Sequence, residues 1–180
     1  LERAVLPQLQ RKETLQLMLT SQFNDGKDQR HNVGFGIGFS LSEQGGYKRV
    51  GHGGAVYGFS TQLYALPEVK LGVAVTSSVD VTNAITRRVA TYALDCLLAV
   101  ENGKPLPDYE KTSSVNEKTV ALLAGHFVSD NGKRLKLINK YGTLYMENDR
   151  FQTRIRQLNG RLVTDSQISY GSPINYDEDG

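Results

Sequence analysis

The sequence predicts an α+β chain: an antiparallel sheet with flanking helices, then a second, β-rich segment. Three observations carry this. A strictly alternating run at 33–41 leads a series of strand-like stretches to residue 78, one apolar helical pattern covers 82–101, and short strand-like runs separated by turn residues fill 117–180.

The elements follow in order. Residues 7–20 read as a helix, with Leu15, Met18 and Leu19 at helical spacing. Asn24–Asn32 is a polar loop. "VGFGIGFSL" (33–41) sets Phe35, Ile37, Phe39 and Leu41 on one face and Gly36, Gly38 and Ser40 on the other, which is strand periodicity. "EQGG" (43–46) is a turn and "YKRVGHGG" the next strand. "STQLYAL" (60–66) and "KLGVAVTSS" (70–78) form a hairpin about "PEVK", and the second of these is apolar enough to predict burial on both faces. Asp80 or Thr82 can cap the helix that follows. Ile85, Val89, Tyr92, Cys96 and Val100 make one face of that helix, predicted to lie across the sheet, and Gly103 and Pro105 end it.

Residues 102–116 are polar with two prolines and read as a linker between a first segment, 1–101, and a β-rich segment, 117–180. In the latter, "EKTVALLA" is a helical turn. Turns at Asn131-Gly132, Lys140-Tyr141-Gly142, Asn148-Asp149 and Asn159-Gly160 then separate four runs of an antiparallel meander. Phe127, Tyr141, Tyr145 and Phe151 are expected in its core rather than lining a pocket, His126 at a strand start, and "SPINYDEDG" as a frayed tail.

Composition narrows the function. Residues 1–100 carry 10 basic and 8 acidic side chains, and residues 101–180 carry 11 of each. No basic stripe marks a nucleic-acid partner. No apolar run reaches the roughly 20 residues of a membrane span. Cys96 is the sole cysteine, and His31, His52 and His126 are too far apart for a short metal motif, so no metal or cofactor is expected. No signal peptide is visible, but the first residue is Leu rather than Met, which suggests a processed product or a fragment and leaves the compartment open.

The chemistry concentrates at "VGHGGAVYGF". One reading is a glycine-rich hairpin holding a structural histidine. The other is an active-site strand. Gly53 and Gly54 remove side chains just past a polar group, so a substrate can lie against the backbone as an added strand. A backbone N–H there can point at a developing oxyanion, and His52 can hold a substrate carboxylate or tune a neighbouring base.

"VGHGGAVYGFSTQLYALPEVKLGVAVTSS" resembles the third catalytic motif and following hairpin of the serine β-lactamase-like superfamily, which includes class C β-lactamases, D-alanyl-D-alanine carboxypeptidases, D-aminopeptidases and related esterases. "ETLQLMLTSQ" followed by "VGFGIGFSL" resembles the preceding helix and strand, and 82–101 the C-terminal helix, so the similarity spans roughly residues 1–101. The family's Lys-Thr-Gly or His-x-Gly is here His52-Gly53-Gly54. The resemblance implies that His52 faces the active site toward the substrate carboxylate or the second-motif tyrosine. It also implies that Ala55 supplies a backbone N–H of the oxyanion hole, beside the substrate-binding Gly53 and Gly54. A neutral imidazole binds a carboxylate less well than an ammonium does, which makes peptidase or esterase chemistry at least as expected as lactam hydrolysis.

The family's nucleophile is the serine of Ser-x-x-Lys. None of the twelve serines has lysine three residues on, and no Tyr-x-Asn occurs. Ser129-Asp130-Asn131 and Ser114-Val115-Asn116 match motif variants but follow His-Gly-Gly instead of preceding it. Ser60 and Ser77 sit in no Gly-x-Ser-x-Gly elbow. The chain therefore reads as the C-terminal part of a serine hydrolase, inactive alone, whose full-length parent takes a small peptide, ester or lactam substrate. The alternative is a non-catalytic binding module. An open sheet edge predicts self-association or pairing with the missing half. The family also implies a periplasmic or extracellular setting. Residues 117–180 resemble the small lipocalin-like β-domain found in some members, although sixty-four residues are few for a barrel of about eight strands.

Overall fold

The computed structural model describes residues 11–23, 33–128, 132, 134–148 and 151–174. The fold is α+β: two antiparallel sheets, of five and six strands, and three helices among the described residues. It divides into two compact units, Leu1–Pro107 and Asp108–Gly180.

The first unit holds α1 (Lys12–Met18), β1 (Gly34–Phe35), β2 (Ser40–Gln44), β3 (Tyr47–Val56), β4 (Phe59–Leu66), β5 (Leu71–Ser77) and α2 (Asn83–Glu101). The strands pair in sequence order, each antiparallel to the next. Residues 7–10 of the expected first helix, and the loop 24–32, lie outside the described residues.

The alternating stretch 33–41 is not one strand. It breaks into β1 and β2 around a turn in which the Gly36 amide donates to Phe39 O at 2.9 Å. The cause is the end of α1. A Cβ on Gly36 would lie 2.1 Å from Met18 O, and Ile37 N donates to that same carbonyl. Phe35 and Ile37 are consequently exposed.

β5 also departs from expectation. It is an edge strand, and its residues alternate half-buried and exposed instead of being covered on both faces. Leu71, Val73 and Val75 pack beneath α2, while Gly72, Ala74 and Thr76 are open on the other face.

Helix α2 covers β4 and β5, but with a different stripe from the one predicted. Ala90, Leu94 and Leu98 meet Tyr64 and Leu66, whereas Ile85, Val89 and Val100 are exposed. The helix is apolar on more than one side, so periodicity could not choose its rotation. Gln44 fixes it: Nε2 donates to Thr91 O at 2.8 Å and to Asp95 Oδ1 at 2.7 Å. The helix ends as predicted at Gly103, whose φ is +62°. Gly103 N and Lys104 N donate to Val100 O and Ala99 O, which is the Schellman arrangement. At the other end, neither expected cap is made. Thr82 precedes the helix without a side-chain cap, and its hydroxyl donates to Val79 O. Asp80 accepts from Gly58 N instead.

The second unit is α3 (Glu117–Leu123) and a meander of β6 (Gly125–Val128), β7 (Arg134–Lys140), β8 (Thr143–Glu147), β9 (Gln152–Leu158), β10 (Arg161–Asp165) and β11 (Tyr170–Pro173). Tyr141-Gly142 and Asn159-Gly160 take the positive φ angles of tight hairpin turns, as their sequence predicts. Asn131, Asp149 and the tail from 175 on lie outside the described residues, and Pro173 is paired in β11.

The sheet does not close. β6 and β11 are its edges, so no lipocalin-like barrel forms among the described residues. Its core is aliphatic: Val120, Leu137, Leu144, Ile155 and Leu162. The aromatics expected there are elsewhere. Tyr141 is fully exposed at a turn, Phe151 and Phe127 are exposed, and Tyr145 is half-buried. His126 is in β6, near its start. Val115 joins this core, and Ser113 exchanges two backbone hydrogen bonds with Gln157.

Candidate functional site

His52, Gly53, Gly54 and Ala55 occupy the far end of β3, beyond the reach of β2. Pairing of β2 with β3 runs from Gln44↔Tyr47 to Ser40↔Gly51 and stops. Pairing of β3 with β4 continues to Val56↔Phe59. Two-residue turns close both hairpins, and such turns close on a hydrogen-bonded pair. Alternation then directs the backbone of Gly54 and Val56 to β4, and that of Gly51, Gly53 and Ala55 to the β2 side. Past Gly51 no described strand lies on that side. Among the described residues, the amides of Gly53 and Ala55 therefore face space without a strand partner.

That space is a hollow of ≈540 Å³. His52, Gly53, Gly54 and Ala55 line it, together with Arg49, Asn83 and Arg87. Among the described residues, no carboxylate lines it. His52 is exposed, and its Nδ1 lies 2.5 Å from Gly53 O. A carbonyl only accepts, so Nδ1 carries the proton and Nε2 is the ring's remaining polar atom.

Arg49 is part of the wall. It stacks 4.2 Å from the Tyr64 ring centroid, and it donates to Ser42 Oγ at 2.8 Å and Gln44 Oε1 at 3.0 Å. Gly51 makes room for this stack, because a Cβ there would lie 2.6 Å from Tyr64 and 2.1 Å from Leu63 O. At Gly54 the closest atom to a Cβ would be the Thr61 hydroxyl, at 2.5 Å, and at Gly53 the end of Gln62, at 3.1 Å, with Thr61 O at 3.6 Å.

Asn83 and Arg87 were not singled out in the sequence. They stand in the first two turns of α2, about thirty residues downstream, and only the packing of α2 on the sheet brings them to the hollow.

The serines set aside in the sequence have other roles. Ser60 is fully buried between Val79 and Thr82, and Ser77 pairs with Ser60 across the sheet. Asn116 of Ser-Val-Asn caps α3, its Oδ1 accepting from Thr119 N at 2.8 Å. Ser129-Asp130-Asn131 lies outside the described residues.

No family model matches the chain, and no curated protein does. Among solved structures it is distantly similar to the octameric penicillin-binding protein homologue from Pyrococcus abyssi, at 22% identity and a TM-score of 0.43 over 88% of this chain. It is also similar to SurE with D-Leu (17%, TM-score 0.38, 88% of this chain) and to SurE (18%, TM-score 0.36, 90% of this chain). The chain spans 36% of the length of each. Among the described residues no helix is long and apolar enough to cross a membrane.

Proposed function

We propose that these residues are the oxyanion side of a serine hydrolase of the β-lactamase and penicillin-binding-protein type, acting on amide or ester bonds. The observation that carries this is the free edge of β3 after Gly51, where two backbone amides face a hollow bordered by a histidine and two arginines. The motif resemblance at His52-Gly53-Gly54 supports the same reading.

In this reading a serine oxygen attacks the substrate carbonyl, and the negative charge develops on an oxygen that accepts from Ala55 N–H. Collapse expels the amine or alcohol, and water then releases the acyl group. The substrate lies along Gly53 and Gly54, where the absent side chains allow close approach. Arg87 supplies positive charge for a substrate carboxylate at the hollow's rim. His52 meets the same carboxylate or a neighbouring hydroxyl through Nε2. The attacking serine belongs to polypeptide beyond these 180 residues, so the chain alone turns nothing over.

The test is titration of the ¹⁵N-labelled chain with acetyl-D-alanyl-D-alanine. Perturbation of the Gly53 and Ala55 amides is expected, weakened by His52→Ala and by Arg87→Ala. Perturbations scattered away from β3, or none up to the probe's solubility, would reject the proposal. A fluorescent penicillin should leave the chain unlabelled, and stoichiometric labelling would disprove the missing-nucleophile claim. Binding without any hydrolase motif encoded upstream would favour the alternative, a binding module built on this fold.

A further inference from the structure

The first residue of α2 reaches back to the glycine strand: Asn83 Nδ2 donates to Gly54 O at 2.9 Å. We infer that Asn83 is a positioning residue that fixes the direction of the Ala55 N–H. The inference rests on the reading of β3 as the oxyanion side and assigns one further residue to it.

The physical reason is the planarity of the peptide unit. In a trans peptide the carbonyl of one residue and the amide of the next point in opposite directions. Gly54 C=O and Ala55 N–H belong to the same unit. Holding the carbonyl toward β4 and α2 holds the amide toward the hollow. A carbonyl oxygen has two lone pairs, so it can take the Asn83 donor in addition to the ladder partner opposite, Thr61.

The unit needs such a hold. Gly53 and Gly54 have no Cβ to restrict the backbone. β2 does not extend alongside to pin the other edge. If the plane turned over, a carbonyl dipole would enter the hollow and the donor would leave it. An oxyanion would then meet a negative end instead of a positive one.

The position of Asn83 is itself secured by the same hairpin. Gly58 N donates to Asp80 Oδ1 at 2.5 Å, and Thr82 N donates to Ser60 Oγ at 3.1 Å. With the Asn83 bond, three contacts clamp the start of α2 onto the end of the β3–β4 hairpin. Two of them involve residues immediately before the helix. The third is made by the side chain closest to the open amides.

Two variants separate this role from helix stability. Asn83→Ala removes the donor. Asn83→Asp also removes it, yet an acidic residue in the first turn suits the helix dipole and keeps α2 folded. The measurement is ¹⁵N relaxation dispersion and hydrogen exchange of the Ala55 amide in the ¹⁵N-labelled full chain, with the thermal midpoint alongside.

In the wild type, little exchange broadening at Ala55 is expected. Both variants should increase it, since loss of one hydrogen bond corresponds to about a fivefold rise in the turned-over population. The perturbation of Ala55 by acetyl-D-alanyl-D-alanine should shrink in parallel. Unchanged Ala55 dispersion and exchange in a folded Asn83→Asp chain would overturn the inference. Failure of the wild type to respond to the probe would instead remove the functional reading, while the dispersion would still decide the role of Asn83.

Discussion

The buried Ser60 hydroxyl accepts a hydrogen bond from Thr82 N at 3.1 Å and donates to Val79 O at 3.2 Å. One side chain thus joins the middle of the sheet to the turn that launches α2. Ser60→Ala leaves the Thr82 amide without this acceptor. It is expected to cost about 1–3 kcal/mol in denaturant unfolding. A loss well under that range would mean that water or a shifted loop replaces the hydroxyl.

Two glycines of β3 should respond differently to alanine. At Gly51 the new methyl meets the rigid Leu63 carbonyl and the Tyr64 ring. Gly51→Ala should therefore destabilise by about 1–3 kcal/mol, the usual range for overpacking. At Gly54 the obstacle is the Thr61 hydroxyl, which can rotate away. Gly54→Ala should leave the thermal midpoint close to that of the wild type, yet block acetyl-D-alanyl-D-alanine at the strand. Equal midpoints for Gly51→Ala and Gly54→Ala would contradict this account.

Strand β5 predicts association. The ladder with β4 directs the backbone groups of Leu71, Val73, Val75 and Ser77 inward, leaving those of Gly72, Ala74 and Thr76 on the open edge. No charge or proline interrupts Leu71–Ser77. Concentration-dependent self-association is expected in sedimentation velocity, and a lysine in place of the exposed Ala74 should suppress it. An equally associated Ala74→Lys chain would place the contact elsewhere.

Glu147 carries the pH prediction. Its side-chain hydrogen bond with Lys136 and then that with Gln152 hold its carboxyl below the usual range. The folded value is lower than the unfolded one, so the contribution is present above the unfolded carboxylate pKa and is lost as pH falls through the folded value. Following the Glu147 carboxyl by NMR should give a depressed midpoint that Lys136→Met raises. Since both side chains remain partly open to solvent, 43% for Lys136 and 25% for Glu147, the change in global stability should be small. A midpoint unmoved by Lys136→Met would assign the depression to another neighbour.

Local chemistry made much of the architecture legible. Asn159-Gly160 and Tyr141-Gly142 specify tight turns through φ, and Gly103 ends α2, because these are properties of a few adjacent residues. The short "PEVK" turn marks β4 and β5 as a hairpin for the same reason, and period-two alternation predicts a strand at residues 33–41. The alternation misleads there, since the break depends on Met18 O approaching Gly36 from another element.

Rotation of α2, the edge position of β5 and the aliphatic core of the second unit were decided by tertiary structure. Each depends on which of several apolar surfaces finds a partner, and burial is non-directional. The sequence by itself determined an α+β chain with a glycine strand after a histidine. Only the folded structure determined that pairing of β2 with β3 ends at Ser40↔Gly51, that Ala55 lines a hollow, and that Asn83 donates to the Gly54 carbonyl. Hydrogen bonds across thirty residues leave no periodic trace, because their partners meet only after the sheet and helix have packed.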